Sequence, residues 1–381
     1  MIFNIHKKKW AFLFACLAML VLALGDNIRG PLFADLLKNF SISNAKGSFT
    51  FAIASLAGLL GNLVCTPLLK KVTMSQLLVG SIFILGLGLL VMGISQDFLS
   101  YSSGAFIFGF GIGTVGISQN LLVTENVEAQ QQSKALSFLH SIYGFGSLLA
   151  PLLASWAAGF FNYWQAAFLL SSGLAAIIFV GTLITRAQPL FQISHYEIDS
   201  KSQKSPRQSL LMFGGMFAFY VVAEILVSSR LALFVRTYCQ MDLVESSRYV
   251  AYFFVFLLIG RLFFSIKKFN FSLKHQLSIF LIFSAFFIVL GLVVHPFFLA
   301  LSGLSMAPYY PLSMSYISSQ TGDRRRQFLT FAITFQSVCV ITMHILVGYL
   351  TDQFGLFYAF GVGLISLLLA LVCVQFHPKP Y

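Results

Sequence analysis

The sequence predicts an all-α membrane protein whose twelve transmembrane helices form two pseudo-symmetric six-helix bundles. Three observations carry this. Hydrophobic residues make up 58% of the 381-residue chain and charged residues only 9%, whereas about a quarter of an ordinary soluble domain is charged. Apolar stretches of about 20 residues, each long enough to cross a hydrocarbon core of roughly 30 Å as a helix, recur along the whole length. One long polar segment, "AQPLFQISHYEIDSKSQKSPRQS" (187 to 209), parts six of these stretches from the other six.

In order, the spans run 10 to 38, 48 to 69, 75 to 95, 102 to 124, 135 to 160 and 163 to 186, then 210 to 235, 247 to 265, 276 to 294, 297 to 320, 328 to 351 and 356 to 375. The alternating pattern of a lipid-facing barrel strand is absent, and a helix is the remaining way to satisfy every backbone polar group inside lipid. The opening "MIFNIHKKKWAFLFACLAMLVLALG" has the shape of a secretory signal, but eleven spans follow it, so it reads as an uncleaved first helix. The predicted organisation is an N-terminal bundle over 1 to 186, a cytoplasmic linker over 187 to 209 and a C-terminal bundle over 210 to 381. Five cysteines are scattered without a CxxC pair, which implies neither a disulfide framework nor a zinc site.

The formal charge of +12 is explained by where the Lys and Arg fall. With the N-terminus inside, "HKKK" (6 to 9), "KK" (70 to 71), Lys134, Arg186, Lys201, Lys204, Arg207, "IKKF" (266 to 269), Lys274, "DRRRQ" (323 to 327) and Lys379 lie on the cytoplasmic side. Only Lys38, Lys46, Arg236 and Arg248 lie on the other, so both termini are expected in the cytoplasm, of a bacterial inner membrane. A nucleic-acid surface is excluded as a partner, because no aromatic-interleaved basic domain exists outside the spans. The expected partners are the lipid bilayer, a small-molecule substrate and protons; the expected state is a monomer, without cofactor or metal.

The two halves echo one another. Lys9 precedes Asp26 by seventeen residues and Arg207 precedes Glu224 by seventeen, so the first helix of each half carries an acid at a similar depth. Two parallel repeats of this kind are how many secondary transporters are built. Local patterns narrow the class: "QNLLVTE" (119 to 125), "ALSFLHSIYGFGSLLAPLL" (135 to 153), "YVVAEILVSS" (220 to 229), "IGRLFF" (259 to 264) and "MAPYYP" (306 to 311). With the 6+6 organisation, they resemble the fucose permease-like branch of the major facilitator superfamily. The resemblance implies proton-coupled symport of sugars and related solutes. Two positions depart from it: "CTPLLKKVTM" (65 to 74) keeps the superfamily's positive charges without its acid, and Gly116 stands where that branch has a carboxylate.

The candidate machinery begins in "GDNIRGP" (25 to 31). A charge near the bilayer centre costs about 2.5 to 3.5 kcal/mol on insertion scales, so such residues face a cavity and find partners. Asp26 and Arg29 are three apart and share a helix face, Asn27 adds an amide, and Pro31 removes a backbone donor, predicting a kink or unwound turn. A simple mutual neutralisation of the pair is the competing reading. In span 7, Glu224 and Arg230 are six apart, about 120° around the helix, and cannot pair with one another. We therefore expect Arg29 to approach Glu224, or Arg230 to approach Asp26, across a central cavity.

Glu224 and Asp26 are the candidate proton-coupling acids, Glu224 the better because it lacks a cation on its own helix and matches the branch's helix 7 acid. His140, with Tyr143 three residues on, is a candidate proton relay, since imidazole titrates near neutral pH. Substrate contacts are expected from Asn27, Arg29, Gln119, Asn120, Tyr143, Arg230, Tyr309, Tyr310 and Gln336, whose amides, phenols and guanidiniums suit a hydroxylated solute. Membrane Asn and Gln also serve as plain interhelical hydrogen bonds. Glycine runs such as "GFGIG" (109 to 113) lie inside apolar spans, where small residues let helices pack closely. The leading function is a proton-coupled symporter working by alternating access; an efflux antiporter is the alternative, weakened by the lack of a Gly pair after the proline in "SLLAPLLASW" (147 to 156). Sodium coupling through Asp26 stays open. An enzyme is not expected, because no HExxH, GxSxG or P-loop is present.

Overall fold

The computed structural model describes residues 2–127, 129–185, 207–266 and 270–377, and every regular element among them is helical. The first span is α1 (Ile2–Asn27) followed by α2 (Phe33–Asn39), and α3 (Asn44–Leu68), α4 (Met74–Ile94), α5 (Phe98–Asn126), α6 (Ala129–Phe161) and α7 (Ala166–Ile184) complete the first six. The second six are α8 (Arg207–Tyr238), α9 (Leu243–Ile266), α10 (Leu273–Val293), α11 (Phe297–Met306) with α12 (Tyr309–Thr321), α13 (Arg325–Phe354), and α14 (Leu356–Ala359) with α15 (Gly361–Phe376). Among the described residues ten spans are long and apolar enough to cross a membrane. The other two of the expected twelve are the first and the tenth, and both are broken.

Proline explains each break. Pro31 has no N–H to offer the carbonyl of Asn27 and its ring crowds that turn. Accordingly α1 stops at Asn27, Ile28 N–H still reaches Leu24 O at 3.0 Å, and Phe33 N–H bonds Gly30 O at 3.2 Å before α2 begins. In the tenth span Pro308 and Pro311 remove two donors three residues apart; α11 closes with Ala307 N–H on Gly303 O at 3.0 Å, and α12 opens with Leu312 N–H on Pro308 O at 3.1 Å.

Other helix ends are set by side chains. Thr73 and Gln76 form a capping box at the start of α4, and Asp97 with Ser100 does the same for α5. The Ser100 backbone N–H, donating to it, holds the Asp97 carboxyl below the usual carboxylate range. Several helices outrun their apolar windows: α6 has 33 residues, about 50 Å of helix. Hydrophobicity marks what sits in hydrocarbon, while backbone hydrogen bonding continues through the interface. Residues 207 to 209, assigned to the linker on composition, are the first turn of α8; the rest of that expected linker, 187 to 206, lies outside the described residues.

The chain clusters into two compact units, Met1–Asp35 with Ile53–Glu197, and Leu36–Ala52 with Ile198–Tyr381. In the first, α1 packs on α6, and α4 packs on α5 and α7; in the second, α8 packs on α13, and α10 packs on α11 and α15. Glycines make the closest approaches. A Cβ on Gly109 would lie 2.1 Å from Ala54 O, one on Gly113 2.1 Å from Gly58 O, and one on Gly111 2.7 Å from the Leu85 backbone. Thus alternate glycines of the "GFGIG" run admit α3 on one side of α5 and α4 on another. The second unit repeats the device where Gly303 of α11 meets Phe253 O of α9, at 2.4 Å from an added Cβ.

One helix is divided. The first turns of α3, through Ala52, cluster with the second unit. Asp352 near the end of α13 accepts hydrogen bonds from the backbone N–H groups of Asn44 and Ala45, both at 2.8 Å. A carboxylate from a distant helix thus caps the N-terminus of α3, where free N–H groups and the helix dipole favour negative charge.

Candidate functional site

Two clusters of ionisable and hydrogen-bonding side chains form, one in each unit. In the first unit, Arg29 Nη2 lies 2.5 Å from Asp26 Oδ1, so the sequence expectation of a pair on one helix face is met. The side chain of Asp26 is 30% exposed and that of Arg29 9%. The other carboxylate oxygen of Asp26 accepts from Tyr143 Oη of α6 at 3.1 Å. The Arg29 guanidinium sits over the ring of Phe108 from α5, 5.4 Å from its centroid. Gly25 makes that placement possible, because a Cβ there would stand 2.7 Å from the same ring. Asn27 donates to Ala23 O at 2.9 Å and to Ser147 Oγ at 3.0 Å, tying α1 to α6 one residue beyond the acid.

The same unit holds amides whose hydrogen-bonding capacity is incompletely used. Gln119 is buried and donates through Nε2 to the sulfur of Met19 at 3.2 Å, a weak acceptor, while its Oε1 has no donor among the described residues. Asn120 donates to Gly116 O at 2.7 Å, and its buried Oδ1 likewise lacks a donor among them. Leaving a buried acceptor unpaired costs about 1 to 3 kcal/mol, so two adjacent ones mark a place where a donor from elsewhere would be welcome. His140, one turn before Tyr143 on α6, is exposed.

In the second unit Glu224 takes its cation from a neighbouring helix. Arg261 Nη2 of α9 stands 3.8 Å from Glu224 Oε1, with side chains 33% and 19% exposed. Tyr220, one turn earlier on α8, is hydrogen-bonded to Glu224 Oε2 and also lies 2.6 Å from the carbonyl oxygen of Met306, the last residue of α11. The Tyr220 ring stacks on Tyr309 at 4.2 Å between centroids, and Tyr309 donates to Met216 O at 3.0 Å. Both rings are fully buried. Gly260 brings α9 against the break in the tenth span, where an added Cβ would stand 2.5 Å from that of Ala307.

Arg230 points elsewhere, as its six-residue offset from Glu224 predicts. It is buried, donates to Ser48 Oγ of α3 at 2.9 Å, and its guanidinium lies 4.8 Å from the ring centroid of Phe51, on whose ring His344 stacks at 5.1 Å. Tyr310 keeps exposed surface and packs on Phe217 at 4.9 Å, whereas Tyr309 is committed to its backbone acceptor. Gln336 on α13 is half-buried.

The structure therefore gathers Asp26, Asn27, Arg29 and Tyr143 in one place, and Glu224 with Tyr310 beside the broken tenth span in another. Sequence reasoning missed Arg261, Tyr220 and Ser147. Arg261 carried a signal of the same kind as Arg29, a lone guanidinium in the apolar run "FLLIGRLFF" (256 to 264). Tyr220 and Ser147 carried none.

Helices of this length and apolarity, packed as two like units with ion pairs inside their spans, define a multi-pass α-helical membrane transporter. Residues 15–326 match the Major Facilitator Superfamily. The chain belongs to that family, whose members are transporters. Along 96% of both sequences it is 22% identical to a protein described as a TsgA homolog from Buchnera aphidicola subsp. Baizongia pistaciae (strain Bp). Over 177 residues, 45% of this chain and 33% of the other, it is 24% identical to an uncharacterized MFS-type transporter, YfiU, of Bacillus subtilis (strain 168). Among solved structures, a bacterial homolog of the human lysosomal transporter Spinster superposes with a TM-score of 0.82, 11% identity and coverage of 98% of this chain and 97% of that one. A D-xylose-proton symporter superposes with a TM-score of 0.76, 15% identity and coverage of 99% and 98%. At those identities the structures establish the fold.

Proposed function

We propose that this protein is a proton-coupled symporter that imports a small, hydroxylated, sugar-like solute by alternating access between an N-terminal bundle (1 to 186) and a C-terminal bundle (210 to 381). Both termini would lie in the cytoplasm of a bacterial inner membrane, with the chain acting as a monomer. The observation that carries the reading is the Glu224 cluster: an acid inside a span, bonded to Tyr220 and loosely opposed by Arg261, at the proline break of the tenth span. An acid that is partly exposed and only distantly paired is one that can exchange a proton. Asp26, held by Arg29 and Tyr143, is the weaker coupling candidate and the better anchor for a polar solute.

The unpaired oxygens of Gln119 and Asn120 favour a ligand rich in donors, such as a polyol or sugar. Asn27, Tyr143, Tyr310 and Gln336 would contribute further contacts, and His140 a route for the proton. Arg230, bonded to Ser48 in this arrangement, would approach Asp26 as access alternates. That the fold is shared with a D-xylose-proton symporter agrees with this assignment. The test is a proteoliposome uptake panel of sugars, polyols, nucleosides, amino acids and lipophilic cations, with and without an imposed pH gradient. Accumulation of a hydroxylated solute driven by an inward proton gradient is expected. Transport confined to lipophilic cations in exchange for protons would replace symport by efflux.

A further inference from the structure

The Tyr220 hydroxyl has more acceptors than hydrogens. It carries one O–H hydrogen and two lone pairs. It lies within hydrogen-bonding distance of a Glu224 carboxyl oxygen and 2.6 Å from the Met306 carbonyl oxygen. A carbonyl only accepts, and an ionised carboxylate only accepts, so with Glu224 charged one of these two contacts would set lone pair against lone pair. Water offers no escape, because Tyr220 is fully buried. Both contacts become attractive in one arrangement: a protonated Glu224 donates to the Tyr220 oxygen, and Tyr220 donates to Met306. The ring cannot drift to relieve the conflict, since it is stacked on Tyr309, itself bonded to Met216 O.

The geometry points to Tyr220 as a positioning residue that reports the proton on Glu224 to the broken tenth span, and to the arrangement described here as the proton-loaded one. When the proton leaves Glu224, the Tyr220 hydrogen turns to the carboxylate, a charged and therefore stronger acceptor. The Met306 carbonyl then loses its donor, and α8 loses its tie to the end of α11. No covalent bond changes apart from the departing proton, which passes to water or to the solute path. The ionisable groups around Glu224 among the described residues are Arg261 from α9, Tyr309 and Tyr310 from α12, and Tyr220 from its own helix. Arg261 at 3.8 Å is far enough to admit a neutral carboxyl and near enough to close on a charged one. Gly260, next to Arg261 in sequence, lets α9 approach the segment that must respond, the end of α11 at Ala307.

This inference rests on the reading of Glu224 as the coupling acid, but its test does not depend on transport. Infrared difference spectra of the full-length protein in liposomes, titrated from acid to alkaline pH, report protonated carboxyl groups directly. The wild type is expected to show a carboxyl band that disappears in Glu224→Gln. In Tyr220→Phe, which keeps the ring and its stack, the band should move to higher frequency because the carboxyl has lost its acceptor. Glu224→Gln, whose amide can donate to Tyr220 as the protonated acid does, should hold the tenth span in the proton-loaded form, seen as pH-independent labelling of a cysteine placed at Ala307. Absence of any band that depends on Glu224, or an unchanged band in Tyr220→Phe, overturns the inference. A Glu224 band in a protein that moves no solute would leave it standing and remove the transport reading instead.

Discussion

The first spanning helix of each unit carries one acid, and the two acids are held differently. Asp26 finds its cation three residues away on its own helix and a tyrosine on α6. Glu224 finds its tyrosine four residues away on its own helix and its cation on α9. Each has an arginine and a phenol, but local and tertiary partners are exchanged. The consequence is electrostatic: the Asp26 pair is short and its arginine buried, whereas Arg261 stands more than an ångström further from its acid and is itself 33% exposed. Coulomb attraction falls with distance, so Arg29 holds Asp26 more tightly than Arg261 holds Glu224.

The comparison assumes that each cluster sits on its own rigid packing, and the severest test attacks that packing. Gly113→Leu in the first unit and Gly303→Leu in the second each drive a side chain into a backbone oxygen. Both are expected to abolish recovery of monodisperse protein in detergent. Next in size is the Asp26 pair. Asp26→Asn removes the short ion pair of the buried Arg29 and should cost up to about 3 to 5 kcal/mol, read as a lowered melting temperature, while Asp26→Asn combined with Arg29→Gln should recover most of it. If the single and double variants melt alike, the pair is not the fixed element we describe.

Arg261→Gln should be milder, within about 1 kcal/mol, because the partner is distant and partly solvated. Its effect is expected in transport instead, as an altered dependence of proton-driven uptake on external pH, since Arg261 is the cation that faces Glu224. The smallest effect is that of Ser147→Ala, which removes one interhelical bond to Asn27. Such bonds average about 0.6 kcal/mol in membranes, so this variant should melt nearly as the wild type does.

How much of this could be read beforehand follows from sequence separation. The twelve spans were legible because each is a contiguous apolar run, and the break at Pro31 because proline removes a donor wherever it falls. The Asp26–Arg29 pair was legible because three residues define a helix face. Arg261 met Glu224 across 37 positions, Tyr220 met Met306 across 86 and Arg230 met Ser48 across 182. No local periodicity encodes those meetings; they depend on which helices pack together and how deeply. A lone arginine in an apolar span was nonetheless a signal, since it must find a partner somewhere, and it went unused at Arg261. Tyr310 and Tyr309 looked alike in "MAPYYP", and only the register of α12 against α8 separates the exposed ring from the committed one.

The most direct measurement compares pH-driven accumulation with solute exchange in proteoliposomes carrying wild type or Glu224→Gln, using the solute that the uptake panel identifies. We predict that the variant still exchanges labelled for unlabelled solute and no longer concentrates it when a pH gradient is imposed. Accumulation equal to wild type would show that the mobile proton resides elsewhere and would contradict the account.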